Sequence, residues 1–451
     1  MIKALKIFLT LCCTSFFIFP FYPSVLPFVN TKMIMAACGL VVLGIELATN
    51  TSGKINMDFI FLTFAAFGVS IASYLSMVIN DTPDDSYLTF FMSMWVWIGA
   101  AYFVTRLIKR VHNQLSIELV CYYIITVGVC QCLIAITADM NASFKVSLDS
   151  LMATDDFMGT GGDRMHGLGC ALDVAGSKFA VMLVMISFLL PRFILNNMQS
   201  IYFWALLLAY FIIAFIGNMI GRTCLVGVVV SICYFIYAAT VSKALSFKVK
   251  AIFSRRVLLS IASAIFVIIY LYNTDESWKK NIDFGFEGPI SLIEKGRWEV
   301  QSNDKLQYIW PDNLHTWIIG DGYMAGTEND PYYAGMNTLY WYAGTDAGYC
   351  RFLFYFGVVG LAAFSFFIFY AGYLCAKKFP KYGLLFLMFV ALNMIVWLKV
   401  STDLFVLFAP FLCISQKEQE DYLLAIKKEE KEKEKETEEL KPENNNSLCH
   451  I

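Results

Sequence analysis

Twelve stretches of this chain are apolar for about the length of a membrane crossing, and they leave little choice of fold. They are Ile7–Leu26, Met33–Ala48, Phe59–Ile79, Leu88–Leu107, Ile117–Ile136, Ala175–Leu195, Ile201–Ile216, Cys224–Val241, Val257–Tyr272, Phe352–Cys375, Leu384–Leu398 and Leu404–Ile414. A bilayer core is about 30 Å thick, so roughly 20 apolar residues of α-helix span it. Hydrocarbon offers no partner to a free N–H or C=O, so a spanning segment bonds its own backbone as a helix. The last two runs are short and also fit one re-entrant hairpin. The expectation is an all-α polytopic membrane protein with about twelve transmembrane helices and one large outer, periplasmic loop.

Composition agrees with that class. The 451 residues are 58% hydrophobic and 16% charged, with mean hydropathy +0.60; soluble domains carry about 25% charge. The net charge of −2 reflects the C-terminal tail, where 7 Lys face 11 Asp or Glu from Gln416 onward. The body is nearly balanced, and nothing points to a nucleic-acid partner. Most of the 13 cysteines lie in apolar runs. They read as small hydrophobes, and neither a zinc site nor a disulfide framework is expected. Lys3 and Lys6 precede an apolar run as in a signal peptide, but only Pro20, Pro23 and Pro27 follow it. Without a small-residue cleavage site the run reads as an uncleaved first helix.

Charge sets the orientation. With the N-terminus inside, every large basic cluster falls in a cytoplasmic loop: Arg106, Lys109 and Arg110; Lys243 to Arg256; Lys377, Lys378 and Lys381. That matches the positive-inside rule and puts both termini in the cytoplasm. The chain divides into helices one to nine (1–272), a large periplasmic loop (273–347), helices ten to twelve (348–415) and a charged cytoplasmic tail (416–451). The tail reads as a solvated helix or a disordered segment. Intramembrane polar residues look few: Glu46, Glu118 and Asp173. No row of charges or inverted repeat stands out, which counts against a transporter.

The few outer-face arginines, Arg164, Arg222, Arg297 and Arg351, run against the charge bias. Each alone can be a solvated side chain; several converging on one cleft make an anion site, because the guanidinium fork binds phosphate bidentately. Arg164 stands in Asp163-Arg164-Met165-His166-Gly167. Arg222 stands in the turn Gly217-Asn218-Met219-Ile220-Gly221-Arg222-Thr223, at the start of a returning helix whose free N–H groups also favour an anion. Arg297 stands in Gly296-Arg297-Trp298-Glu299, where a plain surface Arg–Glu pair is the alternative. The large loop holds five of the nine tryptophans: Trp278, Trp298, Trp310, Trp317 and Trp341. Such rings suit sugar faces and equally the core of a small outer domain. Asp346 lies where the loop meets the membrane, placed either to take a proton from a hydroxyl or to cap the following helix.

The Arg164 motif before a Gly/Ala-rich helix, the Gly221-Arg222-Thr223 turn, the late large outer loop, and Trp317 to Tyr323 with the Thr345 to Gly360 ending together carry a family resemblance. The chain resembles the O-antigen polymerase and O-antigen ligase superfamily of bacterial envelope polysaccharide biosynthesis, on its polymerase-like branch. Ligases tend to carry a His-Asn pair in a comparable place, which this sequence lacks. The resemblance implies a metal-independent glycosyltransferase of the membrane-embedded C type, without cofactor, at the outer face of the bacterial inner membrane. Its substrate would be a glycan on undecaprenyl diphosphate, and a chain-length regulator is an implied partner. It implies arginines on the diphosphate, matching Arg164, Arg222 and Arg297, with Arg351 near the donor. Asp346 is then the candidate base, and His315 the weaker alternative. Transfer to lipid A core, as by a ligase, transport of a polysaccharide or lipid, and a non-catalytic assembly subunit docking through its acidic tail are the competing expectations.

Overall fold

The computed structural model describes residues 2–49, 57–153, 164–195, 200–241, 246–297, 299–300, 309–326 and 341–425. Lys54, Asp163, Lys243, Trp298 and the tail from 426 onward lie outside the described residues. The helices are α1 (Ile2–Ile18), α2 (Thr31–Thr49), α3 (Met57–Asn80), α4 (Phe90–His112), α5 (Ile117–Met140), α6 (Ala142–Asp149), α7 (Leu172–Leu195), α8 (Ser200–Ile220), α9 (Cys224–Thr240), α10 (Phe247–Thr274), α11 (Glu276–Gly285), α12 (Glu287–Lys295), α13 (Leu314–Ile319), α14 (Gly348–Lys378), α15 (Gly383–Val396) and α16 (Phe405–Leu412). Among the described residues the only β contacts are two isolated bridges.

Each expected apolar run falls at least partly on a helix. Among the described residues seven helices, α3, α4, α5, α7, α8, α10 and α14, are long and apolar enough to cross a membrane. The α9 and α15 segments are apolar but shorter. The first helix stops at Ile18 instead of Leu26. Pro20, Pro23 and Pro27 follow, and proline lacks the N–H that a continuing helix needs.

The bundle is built around α7. From Phe179 to Leu190 almost every side chain of α7 is fully buried, against α5, α8, α9 and α15. By contrast α10 turns Leu258, Leu259, Phe266 and Ile269 outward. An outward apolar face is what a bilayer solvates.

The α14 helix is broken inside its apolar run. Phe356 and Gly357 leave helical geometry, with Gly357 at φ 64°. The break frees carbonyls that the loop takes up. Asp321 N–H donates to Phe354 O at 2.6 Å, and Gly322 N–H donates to Tyr355 O at 3.1 Å. Neither glycine can change: a Cβ on Gly320 would lie 2.6 Å from Tyr355 backbone, and one on Gly357 2.2 Å from Ile318 O. From α3, Asn80 donates to Gly320 O at 3.0 Å, and beyond its end Thr82 donates to Gly322 O at 3.0 Å. The Trp317-to-Tyr323 motif is thus a clasp between the loop and two bundle helices.

The described loop tryptophans stack on other side chains and stay partly exposed. Trp310 and Trp317 stack on each other with centroids 5.9 Å apart, and Trp278 stacks on Phe215 of α8. At the opposite end of α4 a second polar cluster ties the start of the tail to the bundle. Residues 416–425 are helical, and Glu418 bonds Arg106 at 2.8 Å and Lys109 at 2.7 Å.

Candidate functional site

Two adjoining cavities open at the end of the bundle where α7, α9 and α14 begin. The larger has about 520 Å³ and the smaller about 80 Å³. Arg164, Leu172, Asp173 and Asp346 line both, so the two form one cleft. Arg222, Lys399 and Phe284 stand on the smaller side. Arg351, Trp341, Tyr87 and Ser401 stand on the larger side.

Local packing brings Arg222 there. A Cβ on Gly221 would sit 2.3 Å from Leu172 O, so only glycine lets this turn press on the start of α7. Leu172 itself adopts φ 55°, a left-handed conformation that costs a non-glycine residue about 1 kcal/mol. The contact sets Thr223 beside Asp173. Thr223 does not cap α9 with its side chain; its hydroxyl donates to Asp173 Oδ1 at 2.5 Å. Lys399 Nζ reaches the same oxygen at 2.8 Å.

Arg222 and Arg164 share an aromatic platform. Their guanidinium carbons lie 4.0 and 5.1 Å from the Phe284 ring centre. Arg222 also pairs with Glu287 at 2.8 Å. Burial pulls its pKa down and Glu287 opposes that.

Asp346 is open to the cleft. Among the described residues it makes no hydrogen bond or ion pair, and it does not cap α14. The N-cap is Ala347, without a side-chain bond, and Ala347 N–H donates to Thr345 Oγ1 at 3.2 Å. The capping alternative therefore gives way to a free carboxylate. Burial holds its pKa above the usual value, Asp173 adds to this, and Arg351, Lys399 and Arg164 oppose it.

Arg351 is 7% exposed. Its guanidinium lies 3.5 Å from the Trp341 ring centre, and Nη1 donates to Ser401 Oγ at 2.6 Å. No carboxylate comes within 4 Å of it among the described residues, and Nε has no partner. Tyr87, whose ring packs on Phe352, Tyr355, Phe356 and Phe364, completes this wall. Burial raises its phenol pKa.

The cleft thus gathers Arg164, Arg222, Arg351 and Asp346. It leaves out Arg297 and His315. Arg297 is a surface residue, 76% exposed at its side chain and paired with Glu299 at 2.5 Å. His315 Nε2 is 2.9 Å from Asn80 Oδ1 in the clasp. His166 turns to Asp149 at 2.8 Å.

Sequence reading missed Lys399 and Lys178. Lys399 follows an apolar run and looks like an end-anchor. Lys178, 6% exposed inside α7, faces the Phe19 ring at 5.4 Å. Lys32 and Lys178 both act on the half-buried Asp403 carboxylate, whose oxygen accepts Phe405 N–H at 3.0 Å.

Chemically, the cleft sets four cations against two carboxylates. It can hold a multiply charged anion without a metal, and Asp346 can accept a proton beside it. Among the described residues no group of three or more His, Cys, Asp or Glu is placed to hold a metal ion. No family model, no curated protein and no solved structure matches this chain.

Proposed function

We propose that the chain is a membrane glycosyltransferase that polymerises undecaprenyl-diphosphate-linked oligosaccharide units, O-antigen or a related surface polysaccharide. The reading carries with it about twelve spans, a fold of the membrane-embedded C type and a cleft at the periplasmic face. The observation that supports it best is the convergence of Arg164, Arg222 and Lys399 around Asp346. These cations come from separate parts of the chain and meet beside one carboxylate with no bonded partner.

In this reading the diphosphate rests on Arg164, Arg222 and Lys399. An acceptor hydroxyl attacks the anomeric carbon, the glycosidic C–O bond to phosphate breaks, and the lipid diphosphate leaves with the electron pair. Asp346 takes the hydroxyl proton. The fixed cations stabilise the leaving charge where a divalent metal otherwise would. The basic residues Arg106, Lys109, Arg192 and Lys378 lie at the opposite end, which supports a cytoplasmic assignment for that end. Transport of the same lipid-linked glycan is the second reading, and the buried Lys178 near Lys32 and Asp403 is what favours it.

The test is a deletion strain carrying wild type, Arg222→Ala or Asp346→Asn at matched membrane levels. Polymerisation predicts a ladder with wild type and accumulated single units on the carrier with both variants. An unchanged ladder, with wild type altering which leaflet holds the lipid-linked glycan, would replace this reading with transport.

A further inference from the structure

The cleft has two sides. The phosphate-binding residues of the proposed function, Arg222 and Lys399, stand on one. Arg351 and Trp341 stand on the other, with Arg164 and Asp346 between. Arg351 differs from Arg222 and Lys399. Arg222 has Glu287 and Lys399 has Asp173. Arg351 is more than nine-tenths buried, has no carboxylate within salt-bridge distance among the described residues, and keeps an unpartnered Nε.

A buried charge with no carboxylate in direct contact is costly to hold. Trp341 covers one face of the guanidinium, and Ser401 takes Nη1. Nη2 reaches only Met324 O, at 3.5 Å. What is left is the edge formed by Nε and Nη2. That edge presents two parallel N–H groups, the pattern that a planar carboxylate matches with both oxygens. A single negative charge balances one guanidinium. A lipid diphosphate would bring about two negative charges toward the nearby Asp346, more than this one guanidinium balances.

We propose that Arg351 and Trp341 form a carboxylate subsite, so that the glycan this protein works on contains an acidic sugar such as a uronic acid. This deepens the proposed function and rests on it for the sugar context. The carboxylate would bind along the Nε–Nη2 edge, with the Trp341 ring beside the pyranose. Arg351 would then select substrate by its sugar, while Arg222 and Lys399 hold the diphosphate common to every lipid carrier.

The experiment measures binding of two synthetic lipids to the full chain in nanodiscs. Both carry a short polyprenyl diphosphate; one ends in a glucuronic acid residue, the other in glucose. Wild type is expected to bind the glucuronyl lipid about ten- to a hundredfold more tightly, the range of charge-assisted hydrogen bonds in a desolvated site. Arg351→Gln should bring the two affinities together, and Arg222→Ala should weaken both lipids alike. Equal wild-type affinities, with Arg222→Ala still weakening both, would overturn the acidic-sugar subsite and leave the proposed function standing. Failure of wild type to bind either lipid would overturn both. The wild-type comparison needs no variant to fold, and Trp341→Leu gives an independent reduction of the preference.

Discussion

The Lys399 ammonium rests 2.8 Å from Oδ1 of Asp173, although 226 residues separate the two in sequence. Thr223 donates to the same oxygen. One carboxylate thus fixes α7, α9 and the segment after α15 around the mouth of the smaller cavity. Asp173→Asn keeps the shape and removes the charge. It is expected to lower stability by about 1–3 kcal/mol, since both side chains are largely buried. Thermal unfolding in detergent measures this, and an unchanged midpoint would mean that solvent already screens the pair.

Asp346 gives the pH dependence a sign. Its pKa is raised by burial, so it stays protonated to a higher pH than an ordinary carboxyl. As a base it works only when ionised. Activity should therefore fall as pH drops through a value above the normal aspartate range. Lys399 and Arg164 hold that pKa down, so Lys399→Met should move the acidic limb to still higher pH. A pH–rate profile of the purified protein follows the limb, and Asp346→Asn should cost roughly 100- to 10,000-fold in rate.

Arg222 and Arg297 should separate cleanly. Arg222→Ala is expected to lower polymer formation about 100-fold or more, the range seen on removing a fixed donor to developing charge. Arg297→Ala should stay within about twofold, because that side chain is exposed beside Glu299. Polymer ladders at matched protein levels provide the comparison. A large effect at Arg297 would return it to the site.

The Gly320–Gly357 clasp predicts a stability effect of its own. Gly357→Ala puts a Cβ 2.2 Å from Ile318 O at a positive φ, and is expected to cost more than about 3 kcal/mol or prevent folding. Gly296→Ala is the control. Its φ is also positive, at 69°, but the space around it is open, so about 1 kcal/mol is expected. Thermal melts of the two variants make the comparison.

At the far end of the bundle, Glu418 has its pKa lowered to about 2. Its own burial works against this, and Lys109, Ser415 N–H and Arg106 drive the fall. Its folded pKa lies below the unfolded value near 4.5. The pairing therefore stabilises fully above about 4.5 and is lost as pH falls from there toward about 2. Protease release of the tail should rise across that window. Glu418→Gln should give an elevated rate that no longer changes there.

Some of the site can be read directly from the sequence. Arg222 announces itself because glycine and arginine in a very short turn leave few placements. Asp346 does so because a loop meets an apolar run at its position. The pairing of Lys399 with Asp173 cannot be read, because only the folded bundle brings those segments together. Lys178 hides inside a run whose other members are apolar. His315 has the right chemistry for a site, and nothing local to it tells that Asn80 already holds it; for Arg297 the neighbouring Glu299 does mark the surface pair as the alternative, and that alternative is the one found. The seven long apolar helices were the easiest to find, since hydropathy acts over about 20 residues and tolerates local error. The break in α14 was harder, because one glycine inside an apolar run is a weak signal.

That break also dictates an order of events during synthesis. Asp321 and Gly322 leave the ribosome before Phe354 and Tyr355, the residues whose carbonyls their N–H groups need. The loop can find its place only once the later helix has entered the membrane beside α3. The wall that carries Arg351 belongs to that same helix. The Arg351 side of the cleft is therefore set late, and the side that carries Arg222 is completed later still, once Lys399 arrives opposite Asp173.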